Sequence, residues 1–328
     1  MVDERPLRVV FFGTPEFAVP TLQALQRSQH PVAGVVTQPD RPRGRGQKTS
    51  GSPVKDQALA AGLPVLQPDG LRDPEFVSAL RVLNADIGVV AAYGKILTDE
   101  VLGVPRLGMI NVHASLLPRY RGAAPVHRAV IEGERETGVT IMRVVKALDA
   151  GPMLATLRRP ISEDETSEDV ERDLALLGAD LLVETVDALS RETPTGTPQD
   201  ESAATYARRL IKQDGLVDWT QPATRIYDLI RGLYPWPHAF TYHHGTRLIL
   251  LASKGQRVAV HAGKGVRPLF SELPGTILEA AGDRLIVATG DNPLTITALQ
   301  AEGRRPMTTR KFLAGHRIEA GHVLTAVP

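Results

Sequence analysis

Five short apolar runs punctuate the first half of the chain. Each is six or seven residues long, and segments with helical periodicity or loop composition separate them. The runs occupy residues 8–13, 32–37, 87–93, 107–113 and 139–144. Continuous apolar strands that alternate with helices are typical of a parallel sheet covered on both faces. We therefore predict an α/β fold with a doubly wound, mostly parallel sheet.

A change of pattern near residue 193 divides the chain. Helices are predicted before it at 17–29, 54–61, 75–83 and 166–189, and a segment rich in proline, glycine and threonine follows. Short β-like runs then occupy residues 247–252, 256–261, 276–280, 284–289 and 294–299. Such runs are typical of a small β-barrel of the oligonucleotide-binding (OB) kind. We predict a first domain at 1–192, a linker at 193–208 and an OB-like β-barrel at 209–328.

The composition is that of a globular protein without disulfides. Hydrophobic residues make up 42% and aromatic residues 5% of the 328 positions, and cysteine is absent. Its absence excludes disulfides, thiol catalysis and cysteine-based metal sites. The apolar runs are far shorter than the roughly 18 residues that a membrane helix needs. The first residues show no secretory or transit pattern. We expect a cytoplasmic protein that does not enter a membrane.

The charges are balanced overall but unevenly distributed. The net charge is +1, yet the residues from 210 onward include 14 basic and nine acidic residues, whereas the earlier residues include 24 and 28. A basic second domain fits an anionic macromolecule such as a nucleic acid, and it also fits an ordinary solvated face. Composition alone leaves both interpretations open.

A polar pair ends the fourth apolar run. Asn111 and His113 are two residues apart, so their side chains lie on the same face of a strand. Ligands of parallel sheets bind where the strands end. An amide donor beside a titratable imidazole suits acyl transfer, in which an oxyanion is stabilised and a proton is moved. A structural pair at a strand end is the alternative.

Asp149 follows the fifth run, in the sequence Leu148-Asp149-Ala150-Gly151. Aspartate is common in turns because it bonds its own backbone, and a plain turn is one interpretation. In a doubly wound sheet this loop is expected at the same edge as His113. A carboxylate at that place could orient the imidazole or a water, as in catalytic triads.

A long cationic loop follows the second run. Residues 38–53 contain Arg41, Arg43, Arg45 and Lys48 against one acid, Asp40. Connections of this length are usually functional or disordered. Arginines spaced by glycines form a flexible cationic finger that suits phosphates and base edges. A solvated mobile loop is the alternative.

Three motifs together resemble one enzyme family. They are Asn111-x-His113, the run Ser115-Leu-Leu-Pro-x-x-Arg-Gly122 and Asp149-x-Gly151. This set resembles the active site of the 10-formyltetrahydrofolate-dependent formyltransferases. Within the family, the chain is similar to the members that act on methionyl-tRNA, from about residue 7 to about residue 320. The motifs that carry this narrower similarity include Phe12-Gly-Thr-Pro-Glu-Phe17, Gln38-Pro-Asp-Arg-Pro-x-Gly-Arg-Gly46 and Tyr234-Pro-Trp-Pro237.

The resemblance implies a reaction and a role for each matching residue. The reaction is transfer of the formyl group of 10-formyltetrahydrofolate to the α-amine of methionyl initiator tRNA, by a monomer that needs no metal. Asn111 would donate to the oxyanion, His113 would stabilise the oxyanion or move the proton, and Asp149 would hold His113 and a water. The residues implied in folate binding are Lys95, Ile96, Leu97, Ser115, Leu116, Leu117 and Pro118.

The resemblance also implies how the tRNA is bound. Arg45, in the loop that carries Arg41, Arg43 and Lys48, would enter the major groove of the acceptor end. It would favour an unpaired first position. The barrel would hold the acceptor stem by its phosphates.

Two other functions stay open. A formyltransferase that acts on a small amine, a nucleotide sugar or glycinamide ribonucleotide, would keep Asn111, His113 and Asp149 without needing the cationic loop. A non-enzymatic RNA-binding module would keep the basic elements without the polar triplet. Formyl transfer to charged initiator tRNA distinguishes the three.

Overall fold

The computed structural model describes residues 5–43, 48–192, 195–254 and 272–327. The chain divides into two compact units. The first unit consists of Met1–Pro125, Glu136–Pro160 and Val170–Arg208, and the second of Val126–Arg135, Ile161–Asp169 and Arg209–Pro328. Each unit has its own sheet.

A seven-stranded sheet forms the centre of the first unit. The strands of this unit are β1 (Val9–Gly13), β2 (Val32–Val36), β3 (Arg41–Arg43), β4 (Lys48–Ser50), β5 (Val65–Leu66), β6 (Ile87–Ala91), β7 (Met109–His113), β8 (Arg121–Gly122), β9 (Glu136–Arg143), β10 (Met153–Pro160) and β11 (Tyr206–Ala207). The order in the large sheet is β10-β9-β7-β6-β1-β2-β5, while β3 pairs with β4 and β8 with β11. The strands from β7 to β5 in this order are parallel, which confirms the predicted mostly parallel sheet.

Strand β9 runs against the rest of the large sheet. It is antiparallel to β7 on one side and to β10 on the other. The predicted strand at 139–144 therefore exists, but it is not one of the parallel strands. Strand β10 was not predicted because it lies at the edge of the sheet, where its residues alternate between partly buried and exposed and leave no continuous apolar run.

Burial on both faces of the sheet explains the apolar runs. Val10, Phe11 and Phe12 of β1 are all fully buried, although successive side chains point to opposite faces. The helices that lie wholly or mostly in this unit are α1 (Val19–Arg27), α2 (Pro53–Ala60), α3 (Pro74–Val82), α4 (Asp99–Leu102) and α6 (Ser167–Arg191), whereas α5 (Pro125–Ile131) lies mostly in the second unit. In the described part of the chain, none of the helices has the length and apolar character to cross a bilayer.

Local sequence fixes where several helices begin. Ser52, Asp73 and Thr98 precede α2, α3 and α4, and each side chain accepts a hydrogen bond from a backbone N–H of the first turn. Proline stands at the first position of α2 and of α3, where its missing N–H costs nothing. The starts of α2 and α3 agree with the predicted helices to within one residue, whereas α4 was not predicted.

The second unit contains an antiparallel sheet. Its main elements are α7 (Ala223–Gly232), β12 (Ala239–His243), β13 (Thr246–Lys254), β14 (Ile277–Ala281), β15 (Arg284–Val287), β16 (Leu294–Ala301), β17 (Met307–Thr308) and α8 (Thr309–Leu313). The order is β12-β13-β16-β15-β14, with β17 paired to β16. Tyr242 of β12 exchanges two backbone hydrogen bonds with Thr325, and the Ile277 N–H of β14 donates to the His322 carbonyl. The segment 322–325 thus joins the two edge strands and closes the sheet, as a barrel requires.

Four of the five predicted β runs in this unit coincide with β13, β14, β15 and β16. The fifth, at residues 256–261, lies outside the described residues. Strand β12 was missed because it directly follows Pro235 and Pro237, which indicate a turn.

Residues that follow α6 pair with strands of the first unit. Thr197 exchanges two backbone hydrogen bonds of 2.8 Å with Met153, and β11 pairs in parallel with β8. The segment predicted as a linker, 193–208, therefore includes residues in regular pairing. This pairing carries the polar residues 199–201 to strand β8.

The close approach of β9 and β10 generates a stability prediction. A Cβ atom on Gly138 of β9 would collide with the backbone carbonyl of Leu157 on β10. Gly138→Ala should therefore lower the free energy of unfolding by about 1–3 kcal/mol, the usual cost of overpacking. Gly34→Ala in β2 is the matched control, because a Cβ there meets only the side chain of Leu83, which can rotate. Scanning calorimetry of both variants tests this, and equal melting temperatures would contradict it.

Candidate active site

Asn111 and His113 lie at the carboxyl end of β7, on the same face of the strand. Strand β6 flanks β7 on one side, with Val90 opposite Asn111, and β9 flanks it on the other, with Thr140 opposite His113. The Asn111 side chain is partly exposed and makes no hydrogen bond within the described part of the chain, whereas His113 is buried. An amide with unused donors therefore faces solvent beside a buried imidazole.

A backbone carbonyl orients the His113 ring. Its Nε2 lies 3.0 Å from the carbonyl oxygen of Tyr120. A carbonyl can only accept, so Nε2 carries the proton of the neutral ring and Nδ1 carries the lone pair. Nδ1 lies 3.8 Å from the Asp149 Oδ2 atom. This distance is too long for a hydrogen bond but short enough for an ion pair once the ring is protonated.

Two hydrogen-bonded neighbours hold Asp149 beside His113. Asp149 has a φ of +49°, and its Oδ2 atom accepts a 2.8 Å hydrogen bond from the Gly122 N–H. The Gln199 amide donates to the carbonyls of Asp149 and Gly151, at 2.8 Å each. The carboxylate is thus fixed both through its oxygen and through its own peptide.

The path by which Asp149 reaches His113 differs from the predicted one. The sequence predicts the Asp149 loop at the carboxyl edge, because residues 139–144 would be one of the doubly wound strands. Because β9 is antiparallel, it ends at Arg143 opposite Ile110, near the start of β7. Asp149 comes close to His113 only because the loop folds back and bonds to Gly122 and Gln199.

Sequence reasoning missed Gln199 and the buried guanidinium of Arg121. The Arg121 side chain is 2% exposed, and it donates to Gln199 Oε1 and to both carboxylate oxygens of Glu201 at 2.7–3.0 Å. The hydrogen bond with Arg121 lowers the pKa of Glu201, and the same bond raises the pKa of Arg121. A buried arginine needs acceptors, and the Gln199–Glu201 segment offers them. The signal available in the sequence was the arginine of the motif Ser115-Leu-Leu-Pro-x-x-Arg-Gly122.

The run from Ser115 to Pro118 forms a tight turn at the same edge. Ser115 is buried, and its hydroxyl donates to the Arg119 carbonyl at 2.7 Å. The Thr140 hydroxyl donates to the Ser115 carbonyl and accepts from the Leu117 N–H. Ser115 and Leu117 therefore serve the turn itself, while Leu116 and Pro118 are partly exposed and can meet a ligand.

The segment from Lys95 to Leu97 follows β6, whose carboxyl end adjoins that of β7. The Lys95 ammonium donates to the backbone carbonyls of Pro68 and Asp69, at 3.1 and 3.0 Å. The Ile96 side chain is 78% exposed, whereas Leu97 is buried. A large exposed apolar side chain in the segment after β6 and an unpaired amide at the end of β7 suit a flat, partly polar ring system.

The cationic loop is a β-hairpin whose tip lies outside the described residues. Arg41 and Arg43 are in β3 and Lys48 is in β4, with Arg43 opposite Lys48, and Arg45 is outside the described residues. The base of the hairpin is anchored at Asp40, which accepts from the Lys55 ammonium at 2.6 Å and from Gln67 at 2.8 Å. These two hydrogen bonds lower the pKa of Asp40. These hydrogen bonds therefore fix the base of the cationic hairpin.

The His113 tautomer can be measured directly. Because Nε2 donates to Tyr120, the neutral ring should be protonated at Nε2 in a long-range ¹⁵N–¹H NMR correlation. His127 is an internal control of opposite kind, since its Nδ1 lies 2.8 Å from the Gly232 carbonyl and should carry the proton. A neutral His113 protonated at Nδ1 would contradict this geometry.

Two family models match the chain, as do relatives along most of its length. The formyl transferase family model matches residues 7–186, and the model of the formyl transferase C-terminal domain matches residues 209–317. A protein named methionyl-tRNA formyltransferase from Caldanaerobacter subterraneus subsp. tengcongensis is 47% identical over 319 residues, or 97% of this chain and 100% of that protein. One of the same name from Stutzerimonas stutzeri is 48% identical over 303 residues, or 92% of this chain and 93% of that protein.

A solved structure shares the fold. The N-formyltransferase from Helicobacter canadensis, in complex with folinic acid and dTDP-3-aminofucose, has a TM-score of 0.63 at 15% identity. The match covers 88% of this chain and 98% of that one, and at this identity it concerns the fold alone. The family follows instead from the two domain matches and the full-length relatives. The chain belongs to the formyl transferase family and, within it, to the methionyl-tRNA formyltransferases.

Proposed function

We propose that this chain transfers the formyl group of 10-formyltetrahydrofolate to the α-amine of methionyl initiator tRNA and so supports translation initiation. The observation that carries the proposal is the meeting of Asn111, His113 and Asp149 at one strand end. Relatives named methionyl-tRNA formyltransferase, which are 43–48% identical over most of the chain, support the proposal. In the reaction, the amine nitrogen attacks the formyl carbon and a tetrahedral oxyanion forms. The bond from this carbon to N10 of the folate then breaks, so that the amine loses a proton and N10 gains one.

We assign to Asn111 the donation of a hydrogen bond to the oxyanion. Its amide is the partly exposed donor at the strand end, and its N–H groups are not used by other described residues. A preorganised donor stabilises the charge of a tetrahedral intermediate without the reorganisation that water would need. Removal of such a donor therefore slows the chemical step rather than substrate binding.

We assign to His113 the transfer of the proton. Of the two roles that the sequence left open, the hydrogen bond between Nε2 and Tyr120 favours this one, because that N–H is already used. The lone pair at Nδ1 can accept the amine proton. The resulting imidazolium would lie 3.8 Å or less from the Asp149 carboxylate, which stabilises the charge. Asp149 thus acts on the reaction through His113 and through any water that it holds.

The folate cosubstrate fits the same edge of the sheet. Ile96, Leu116 and Pro118 offer exposed or partly exposed apolar surface, and the backbone of residues 95–97 offers polar groups for a pterin. Ser115, Leu117 and the Lys95 ammonium would act indirectly, because their described contacts are within the protein. We assign this chemistry to residues 1–192 and expect a monomeric, cytoplasmic enzyme.

The three polar residues should act as a unit. Asn111→Ala, His113→Ala and Asp149→Ala should each lower kcat about 10²–10³-fold, with little change in KM for folate. Double variants should lose far less than the product of the single losses. The control is Asn84→Gly, which lies before β6 at the opposite edge of the sheet and has a φ of +46° that glycine adopts easily. Single-turnover kinetics measure these rates, and near-normal turnover in His113→Ala would contradict the assignment.

Binding of the tRNA is assigned to the cationic hairpin and to residues 209–328. In the second unit, Arg304, Arg305 and Lys311 are exposed and have no ion-pair partner in the described part of the chain. They lie around β17 and the start of α8. Unpaired basic side chains on a small closed sheet suit contacts with phosphates, which position a nucleic acid without reading its sequence.

Arg45 is the residue on which tRNA discrimination should depend. Its flanking glycines let the guanidinium enter a groove and bond base edges in a fork that lysine cannot reproduce. Arg45→Ala should lower kcat/KM for initiator tRNA roughly 5- to 150-fold, since one bidentate contact is worth about 1–3 kcal/mol. Arg45→Lys should recover little of this loss. The preference over a tRNA with a paired first position should also shrink, and folate affinity should stay the same.

The control for Arg45 is Arg81→Ala. Arg81 is an exposed arginine of the first unit that pairs with Glu100 on the surface, so its removal should leave formylation unchanged. If Arg45→Ala behaved like Arg81→Ala, the hairpin would be a solvated loop. A formyltransferase acting on a small amine would then be the better interpretation.

A further inference from the structure

Three histidines of the second unit meet at the turn between β12 and β13. His243 is the last residue of β12, His244 is the next residue, and His322 lies in the segment that closes the sheet. One ring nitrogen from each lies within 4.8 Å of those from the other two. His243 is buried, His322 is partly buried and His244 is exposed. None of these residues belongs to the candidate active site.

The spacing of two of these nitrogens is already that of a shared ion. Nε2 of His243 and Nδ1 of His322 are 3.0 Å apart. Two imidazole nitrogens bound to one zinc ion at about 2.0–2.1 Å would be about 2.8–3.4 Å apart for angles between a right angle and a tetrahedral one. Only the exposed His244 side chain would have to move appreciably to complete a three-nitrogen set.

Within the described residues, other protein groups form at most a long hydrogen bond with the two nitrogens of this pair. Apart from the His243–His322 hydrogen bond, His322 Nδ1 is approached by the Glu319 backbone N–H at 3.4 Å. A bound ion would replace the proton that the two rings share, and that proton would leave to solvent.

The turn itself does not require a histidine. His244 and Gly245 have φ values of +46° and +74°, which is the pattern of a two-residue hairpin turn that favours Asn-Gly. Asparagine adopts a positive φ more easily than histidine does. His244 makes ring contacts with His243 and His322 but has no hydrogen bond within the described part of the chain. The imidazole is thus present at some conformational cost and without a described polar partner.

We propose that His243, His244 and His322 bind one divalent transition-metal ion of the zinc class. Three neutral imidazoles suit Zn²⁺, Ni²⁺, Co²⁺ or Cu²⁺, whereas Mg²⁺ and Ca²⁺ prefer oxygen ligands. Water would fill the remaining position. The ion would join the β12–β13 turn to the segment 322–325, which closes the sheet through its bonds to Tyr242 and Ile277. Its role is to stabilise the second unit, so it is independent of formyl transfer.

The test uses the full chain without a histidine tag. Equilibrium dialysis against Zn²⁺ with elemental analysis should show one bound ion per chain, and Co²⁺ should give the visible absorption of a tetrahedral or five-coordinate complex. An excess of Zn²⁺ of about 100-fold over Kd should raise the melting temperature by roughly 3 °C or more, because the ion binds only the folded state. A chelator should reverse the shift.

Two variants and one control decide between a site and general affinity for metal. His244→Asn keeps the preferred turn residue and should lower Zn²⁺ affinity at least tenfold, and His322→Asn should do the same. His316→Asn is the matched control, since His316 belongs to the same unit but bonds to Phe312 instead, and its zinc-induced shift should persist. The proposal is overturned if no ion binds, or if His244→Asn and His322→Asn bind it as tightly as His316→Asn does. Measuring the shift within each variant separates ligand loss from any change in its basal stability.

Discussion

The candidate active site depends on the hydrogen bonds of the buried Arg121 guanidinium. A buried charge is tolerated only when it is paired and hydrogen-bonded, and Arg121 takes its acceptors from Gln199 and Glu201. With its oxygen bonded to Arg121, the Gln199 amide is oriented so that its N–H groups hold the carbonyls of Asp149 and Gly151. A residue distant in sequence from the strand ends therefore positions the loop that carries the carboxylate.

This network separately supports the two side chains to which we assign the proton transfer. The Tyr120 carbonyl orients the His113 ring, and the Gly122 N–H holds the Asp149 carboxylate, so the two residues on either side of Arg121 position the imidazole and its partner. The strand register places the Asn111 backbone opposite Val90 and Met142, and its side-chain amide makes no hydrogen bond within the described part of the chain. The imidazole and the carboxylate are held in place before substrate arrives, which is a condition for the electrostatic catalysis that we propose.

The sequence predicted those features that depend on local pattern. Continuous apolar runs identified the sheet, and the spacing of Asn111 and His113 at the end of one run indicated a candidate site, whose residue roles stay predictions. The direction of β9 was not predictable in the same way, because strand periodicity does not specify whether a neighbour is parallel. For that reason the proximity of Asp149 was expected by the wrong path, and Gln199 was overlooked in a segment whose composition indicated a linker. The role of Arg45 stays a prediction, since it lies outside the described residues.

The central claim is that this site formylates the amine of methionyl initiator tRNA. The most direct measurement incubates the purified chain with 10-formyltetrahydrofolate and an equal mixture of methionyl initiator tRNA, methionyl elongator tRNA and glycinamide ribonucleotide, and follows formyl transfer to each. We expect rapid formylation of the initiator tRNA, much slower reaction of the elongator tRNA and none of the nucleotide. Formylation of the small amine with neither tRNA modified would contradict it.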